Sequence, residues 1–210
     1  MILLKDALLF VINNLKRFLL NFILGSSSLR RLELLKSIGV NPHKIIAPNI
    51  DETINKNEIP QDYVKRIAFE KLEELNKDNS DNIVLTADTI AFCGRRLIDK
   101  TDQPEMAEKN LKILSGKRHR VITSICVLDN NKKIITKSVL SVVSMKRLSK
   151  KEIEDYMKSN EWKNVAGSYR IQGHAESFIK FINGSYSNII GLPLYETRNI
   201  LKSVGVICMN

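Results

Sequence analysis

Short apolar runs alternate with amphipathic segments along most of the chain. Phe22, Ile23 and Leu24 form an apolar run typical of a buried strand, and the segment after them repeats leucine at helical spacing. This alternation predicts an α/β protein. The other predicted strands span 44–47, 83–87, 121–128, 133–145 and 178–182, and the other predicted helices span 63–76, 104–114, 150–158 and 193–204.

Capping residues suggest where several of these helices begin. Asp62 is expected to cap the helix over 63–76, and Ser149 with Glu152 has capping-box spacing before the helix over 150–158. Pro104 suits the first turn of its helix. The glycine- and serine-rich segment 184–188 is predicted as a turn that precedes the terminal helix.

Residues 1–20 differ from the rest of the chain. Their apolar positions recur at helical spacing, but charged and amide side chains interrupt them too often for a membrane-spanning helix. The apolar run is also short for a signal peptide. We therefore predict an amphipathic N-terminal extension over 1–20 and a single domain over 21–210. Contact of the extension with a membrane surface stays open as an alternative.

The segment Gly25–Leu35, GSSSLRRLELL, joins the first predicted strand to the first predicted helix. Gly25 is expected to allow a sharp turn, and Ser28 is well placed as the helix N-cap. Arg30 and Arg31 then fall in the first helical turn, where the helix dipole disfavours cations. A bound phosphate would reverse that preference, so we predict a phosphate site. A basic surface helix with an ordinary serine cap is the alternative, and no Walker or Rossmann motif is present.

Acidic residues follow two other predicted strands. The strand over 83–87 is expected to deliver Asp88 and Thr89 at its carboxyl end, where ligands bind in open α/β sheets. Asp88 could instead begin a turn. The segment 48–53 places two carboxylates, one of them Glu52, at another strand end.

Three further polar residues give weaker signals. Lys71 lies beside the apolar stripe of its helix, which is typical of a solvated flank. Gln172 precedes Gly173 in a glycine-containing segment, and it could read a base edge or be a satisfied core amide. His119 has no partner at metal-ligand spacing, so a structural role is expected.

Composition narrows the class of protein. The net charge of +10 favours an anionic partner, and 43% hydrophobic residues are enough for a core. The three cysteines are odd in number and lack C-x-x-C spacing, which indicates neither a disulfide framework nor a zinc site. They are expected to be buried thiols in a reducing cytosol.

Ordered motifs across the chain resemble the Maf family of nucleoside triphosphate pyrophosphatases. They are GSSSLRRLELL, NIDE at 49–52, YVKRIAFEKL at 63–72, TADT at 86–89, LSGKRHRV at 114–121, and AGSYRIQG with GSYSNIIGLPLYET in the last third. The resemblance implies an α/β fold with a mixed, curved sheet flanked by helices and two lobes around a nucleotide cleft, similar to the inosine-triphosphate pyrophosphatases.

The resemblance also implies a reaction. It is hydrolysis of a nucleoside triphosphate between its α and β phosphorus atoms, giving a monophosphate and pyrophosphate, with Mg²⁺ or Mn²⁺ as cofactor. The expected substrates are dTTP, UTP and CTP or modified nucleotides. A cytoplasmic location and a homodimer are further expectations, and stable nucleic-acid binding is not expected.

Family roles carry over to matching positions. Asp88 resembles the proton acceptor, and Glu52 with Asp88 would hold the metal through oxygen ligands that suit Mg²⁺. Whether Asp88 acts as a base or through the metal stays open. Arg30, Thr89 and Gln172 resemble the residues associated with substrate choice, and the rest of the polar set comprises Ser28, Arg31, Lys71 and Lys100.

Four positions depart from the family pattern. Leu29 and Thr101 stand where proline is usual, and Val165 stands where lysine is common. Arg170 replaces a small residue, which could narrow the base pocket or add a cation. The rival hypothesis is a non-enzymatic basic protein that binds nucleic acid or a cell-division partner, although no RNP, KH or helix-turn-helix pattern supports it.

Overall fold

The computed structural model describes residues 21–77, 79 and 82–207, so the predicted N-terminal extension lies outside the described residues. A seven-stranded sheet forms the centre of this part. Its strands are β1 (Phe22–Gly25), β2 (Lys44–Ile46), β3 (Ile83–Cys93), β4 (Arg96–Ile98), β5 (Arg118–Leu128), β6 (Ile134–Met145) and β7 (Ile179–Asn183). The helices are α1 (Leu29–Ser37), α2 (Pro60–Asn76), α3 (Pro104–Leu114), α4 (Lys150–Lys158), α5 (Tyr186–Ile190) and α6 (Leu194–Ser203).

The sheet mixes parallel and antiparallel pairing. Its order is β2-β1-β3-β5-β6-β7, with β4 attached to β3. Strand β1 runs parallel to β2 and β3, whereas the remaining pairs are antiparallel. The predicted α/β class, with a mixed sheet flanked by helices, is confirmed.

Strand β3 has an open stretch on one edge. Strand β1 pairs with it only as far as Thr86, and β4 joins the same edge again at Ala91. The opposite edge pairs with β5 from Val84 to Phe92 without interruption. Residues 87–90 therefore have a strand neighbour on one side only, and this gap is where Asp88 and Thr89 lie.

The prediction that a short strand ends just before Asp88 is wrong. Strand β3 continues to Cys93, so Asp88 lies near its middle. The sequence pattern suggested an end because the first five residues are the most apolar, but the antiparallel pairs with β4 and β5 extend the strand.

Helices cover both faces of the sheet. Helix α2 packs on one face, where Val64, Ile67 and Leu72 contact residues of β1, β3 and β5. Helices α1 and α6 pack on the other face through Leu35 and Leu201. Helices α3 and α4 complete a third cluster beside β5 and β6. In the part of the chain that the structure describes, none of the helices has the length and apolar character to cross a membrane.

Helix boundaries follow local signals in most places. Helix α3 has the predicted bounds, and the capping box of Ser149 and Glu152 is present at α4. Helix α2 begins at Pro60 rather than after Asp62, because a proline at the first position already suits a helix start. The turn predicted over 184–188 contains the start of the short helix α5, which Ser185 caps through a bond from the Asn188 amide.

Candidate active site

Arg31 anchors the loop between β1 and α1 to the opened edge of β3. The residue is only 7% exposed, and its guanidinium donates to three different segments. Nε donates to the Gly191 carbonyl at 2.9 Å, Nη1 to Ser26 Oγ at 3.0 Å and Nη2 to Thr89 Oγ1 at 3.1 Å. A guanidinium has five N–H bonds, so donors remain for a ligand. Burial lowers the pKa of Arg31, and nearby Asp88 opposes that shift.

The start of α1 matches the prediction in position but not in detail. Ser28 is the N-cap residue, yet within the described residues its hydroxyl accepts no bond from the helix. The amide of Ser28 donates to Ser26 Oγ at 3.2 Å instead. Gly25 is needed for space rather than for a turn, because a Cβ there would lie 2.6 Å from Thr86 Cγ2. The Arg31 amide donates to the Ser28 carbonyl at 3.2 Å, but the amides of Leu29 and Arg30 have no partner among the described residues, so these two are available to an anion.

A buried polar chain holds Thr89 in place. Its hydroxyl lies 2.9 Å from Thr123 Oγ1, which in turn donates to the Asn188 carbonyl at 3.0 Å. The Asn188 side chain donates to Ser141 Oγ and to the Val121 carbonyl. Neither Thr123 nor Asn188 was predicted as a site residue; Thr123 is a polar residue inside an apolar run, whereas Asn188 lies in the polar segment 184–188.

Lys71 joins the two predicted acidic residues. Its Nζ lies 2.9 Å from Asp88 Oδ1 and 2.6 Å from Glu52 Oε1. Asp88 is 1% exposed, whereas Glu52 is about half exposed. The interpretation of Lys71 as a solvated flank is wrong, because its side chain is buried against β3. Tyr63 donates to the Glu52 carbonyl at 2.9 Å. The pKa of Tyr63 is raised, mainly by burial and then by the negative charges of Asp88 and Glu52.

Two adjoining cavities collect the predicted site residues. A cleft of about 420 Å³ is bordered by the loop after β1, by the 164–172 segment and by residues 189–191. A second cavity of about 230 Å³ contains Asp88 and shares Glu52, Thr89 and Lys100 with the cleft. Together they bring into one region all nine predicted residues, namely Ser28, Arg30, Arg31, Glu52, Lys71, Asp88, Thr89, Lys100 and Gln172.

The gap in the sheet explains how one cleft reaches both Asp88 and Thr89. Successive side chains of a strand point to opposite faces, so Asp88 faces α2 while Thr89 faces Arg31 and Gly191. A continuous neighbouring strand would separate the two faces. Because β1 stops before this point and β4 begins after it, both side chains border a common space.

Cations at the mouth of the cleft are less tightly held. Arg30 Nη2 donates to the Asn164 carbonyl at 3.3 Å. The pKa of Arg30 is lowered, mainly by burial and then by the positive charge of Arg170. Lys100 keeps exposed surface, yet desolvation by the surrounding protein lowers its pKa while Asp88 opposes the shift. Asp99, which sequence reasoning missed, lines the second cavity, and burial raises its pKa.

Glu52 and Asp88 are the residues available for a metal ion. Their oxygens converge on a single Lys71 nitrogen, so both are within reach of one cation. Hard carboxylate oxygens suit Mg²⁺ or Mn²⁺ when phosphate oxygens and water complete the shell. Among the described residues no group of three or more His, Cys, Asp or Glu side chains forms a metal cage. The donor set therefore fits an ion that arrives with its substrate.

His119 occupies a structural position, as expected. It is 1% exposed, and Nε2 lies 2.7 Å from the Tyr169 hydroxyl. Burial lowers the pKa of His119 to about 4, so the ring is neutral at physiological pH. Tyr169 also lines the cleft, which places this pair directly behind its wall.

Comparisons with known proteins agree on one family. A family model described as Maf-like protein matches residues 21–204. The chain is 45% identical over 185 residues to the dTTP/UTP pyrophosphatase of Zymomonas mobilis, covering 88% of this chain and 92% of that protein. It is 48% identical over 182 residues to the nucleoside triphosphate pyrophosphatase of Ehrlichia ruminantium, covering 87% and 95%.

Among solved structures the likeness is distant. A nucleoside-triphosphatase / dITP/XTP pyrophosphatase from Mycobacterium abscessus covers 60% of this chain and 74% of its own, with 11% identity and a TM-score of 0.37.

Proposed function

The chain belongs to the Maf-like protein family, and we propose that it is a nucleoside triphosphate pyrophosphatase. It would convert a nucleoside triphosphate and water into a nucleoside monophosphate and pyrophosphate. The observation that carries the proposal is the convergence of the Arg31 cluster and the Lys71–Asp88 pair on one cleft, at the gap in strand β3.

The charge of the joined cavities suits a polyphosphate. Five cationic side chains and three carboxylates line them, which leaves an excess of two positive charges. A triphosphate remains negative even with one divalent cation bound, and cleavage increases the charge on the departing pyrophosphate. Arg31 and the amides at the start of α1 supply directed donors for its oxygens.

Asp88 is the proposed proton acceptor. A water oxygen forms a new bond to the α phosphorus. The bond from that phosphorus to the oxygen bridging the α and β phosphates breaks, and pyrophosphate leaves with the bonding electrons. Asp88 takes the proton that the water loses. Lys71 holds the Asp88 carboxylate by one oxygen, so the other oxygen is available for this transfer. Burial in β3 keeps the group in a fixed place.

A divalent cation, Mg²⁺ or Mn²⁺, is the proposed cofactor. Glu52 and Asp88 would hold it, and it would neutralise phosphate charge when bound. Lys71 pairs with both carboxylates, so the ion and the ammonium compete for their oxygens.

The proposed substrates are dTTP and UTP, the nucleotides in the name of the Zymomonas relative, followed by CTP and modified nucleotides. Gln172 lines the cleft and is half-buried, and its amide can both donate to and accept from a base edge. Arg30 and Thr89 line the same cleft and complete the set proposed for substrate choice. Location in the cytoplasm and assembly as a homodimer remain predictions.

A product analysis tests the proposal. The protein is incubated with each nucleotide and Mg²⁺ or Mn²⁺, and products are separated by anion-exchange chromatography. Equal amounts of monophosphate and pyrophosphate are expected, whereas diphosphate and orthophosphate would contradict the reaction.

A variant then tests the role of Asp88. Asp88→Asn should reduce turnover at least about 100-fold while nucleotide binding persists. Asp155→Asn, which alters an exposed carboxylate on α4, is the matched control. An undiminished rate in Asp88→Asn would remove Asp88 from the reaction.

A further inference from the structure

Arg170 reaches the cleft from a rigid part of the backbone. Its neighbours Tyr169 and Ile171 are buried, while Arg170 itself is exposed and lines the cleft. The amide of Arg170 donates to the Tyr156 hydroxyl at 2.9 Å, and the Tyr169 hydroxyl contacts His119. The backbone is thus fixed on both sides, so the side chain is presented to the cleft from a defined position.

Arg170 and Arg30 are a pair of like charges on the cleft wall. Arg30 lies in the first turn of α1, and Arg170 is the charged group that acts most strongly on it. Within residues 21–77, 79 and 82–207, neither guanidinium forms an ion pair with a carboxylate. Glu161, the nearest acidic residue before Arg170 in the chain, instead accepts from the His174 amide at 2.8 Å.

Two guanidiniums that line the same cleft repel each other in the free protein. An anion placed between them would turn this repulsion into two charge-assisted contacts. The start of α1 beside Arg30 is the proposed phosphate end of the cleft, so the anion in question is a polyphosphate rather than a base. A small side chain at position 170 would provide only one of the two cations.

We propose that Arg170 is an additional substrate-binding residue of this chain. Together with Arg30, it binds the polyphosphate of the nucleotide. The inference rests on the proposed function for its substrate. It assigns Arg170 to binding rather than to the chemical step, because the residue lies at the mouth of the cleft and not beside Asp88 in the second cavity.

The test compares Arg170→Ala with Arg170→Lys and with Arg198→Ala. Arg198 is exposed on α6 and does not line the cleft, so Arg198→Ala removes one positive charge without changing the site. Arg170→Ala should raise KM for UTP about tenfold with little change in kcat, the pattern of a lost ground-state contact. Arg170→Lys should recover part of the loss, and Arg198→Ala should behave as wild type.

Product inhibition identifies the part of the nucleotide that Arg170 contacts. In Arg170→Ala the inhibition constant of pyrophosphate should rise about as much as KM, while that of UMP stays unchanged. A KM equal to wild type, a loss confined to kcat, or a change for UMP alone would each overturn the inference.

Calorimetric binding of pyrophosphate keeps the two proposals separate. If the wild type hydrolyses no nucleotide, the proposed function fails, but the pyrophosphate affinities of the wild type and Arg170→Ala can still be compared. Equal affinities would overturn the role of Arg170 whatever the activity. Circular dichroism spectra confirm that each variant is folded before it is compared.

Discussion

His119 should make the stability of this protein depend on pH, and the size of the effect follows from its burial. The folded-state pKa of about 4 lies below the ordinary histidine value of 6.5. The unfolded chain therefore takes up the proton first as the pH falls. The stabilisation is complete above pH 6.5 and is lost progressively towards pH 4. Integration gives a loss of about 2.5 kcal/mol between pH 7.5 and pH 4.5.

Urea unfolding of two variants isolates this contribution. In His119→Phe no group titrates at this position. The Tyr169 hydroxyl loses its partner, which lowers the free energy of unfolding by an amount that does not change over this pH range. The difference in unfolding free energy between wild type and His119→Phe should shrink by about 2.5 kcal/mol from pH 7.5 to pH 4.5.

His174→Gln, which alters an exposed histidine, is the matched control and should follow the wild-type curve. Parallel curves for wild type and His119→Phe would refute the reasoning, because they would mean that the buried ring does not resist protonation. The same measurement by melting temperature should show a shift of roughly 5–10 °C for a chain of this length.

Three further predictions concern the site and its support. Lys71→Met should destabilise the protein by about 2 kcal/mol in chemical unfolding, which is less than for a fully buried pair because Glu52 is half exposed. Adding Asp88→Asn should restore part of the lost stability, and an unchanged unfolding midpoint in Lys71→Met would contradict the buried pair. Ser149→Ala should cost about 1 kcal/mol through loss of the capping box, whereas Ser149→Thr should cost little, and equal losses in both would exclude capping. Chelation with EDTA should stop nucleotide hydrolysis without unfolding, and added Mg²⁺ or Mn²⁺ should restore it; full activity in EDTA would remove the metal from the proposal.

The sequence predicted best those features that short-range chemistry determines. Helix α3 has its expected bounds because Pro104 and Ser115-Gly116 mark its two ends. The cap of α4 needs only Ser149 and Glu152, three residues apart. Ser28 was expected at the right position for the same reason, although its hydroxyl is not used for capping.

Features that depend on distant partners were predicted poorly from the residues alone. The helical pattern placed Lys71 on a solvated flank, because the pattern contains no information about Asp88 on a neighbouring strand. The length of β3 depends on pairing with β5, whose residues lie far along the chain. Resemblance to a family supplied the set of site residues, and the gap in β3 supplies the reason why they meet.

The catalytic candidate, Asp88, lies on a strand that is held from several sides. Asp88 and Thr89 are held in register with Ser124 and Thr123 along one edge, and their side chains bond to Lys71 of a helix and to the Gly191 carbonyl of a neighbouring loop. Substrate entry and product release are therefore expected to involve the exposed side chains of the opposite wall, such as Arg170, rather than the backbone of β3. Amide hydrogen exchange should accordingly be slow at those amides of β3 that bond to β5, and it should respond to nucleotide chiefly around the cleft.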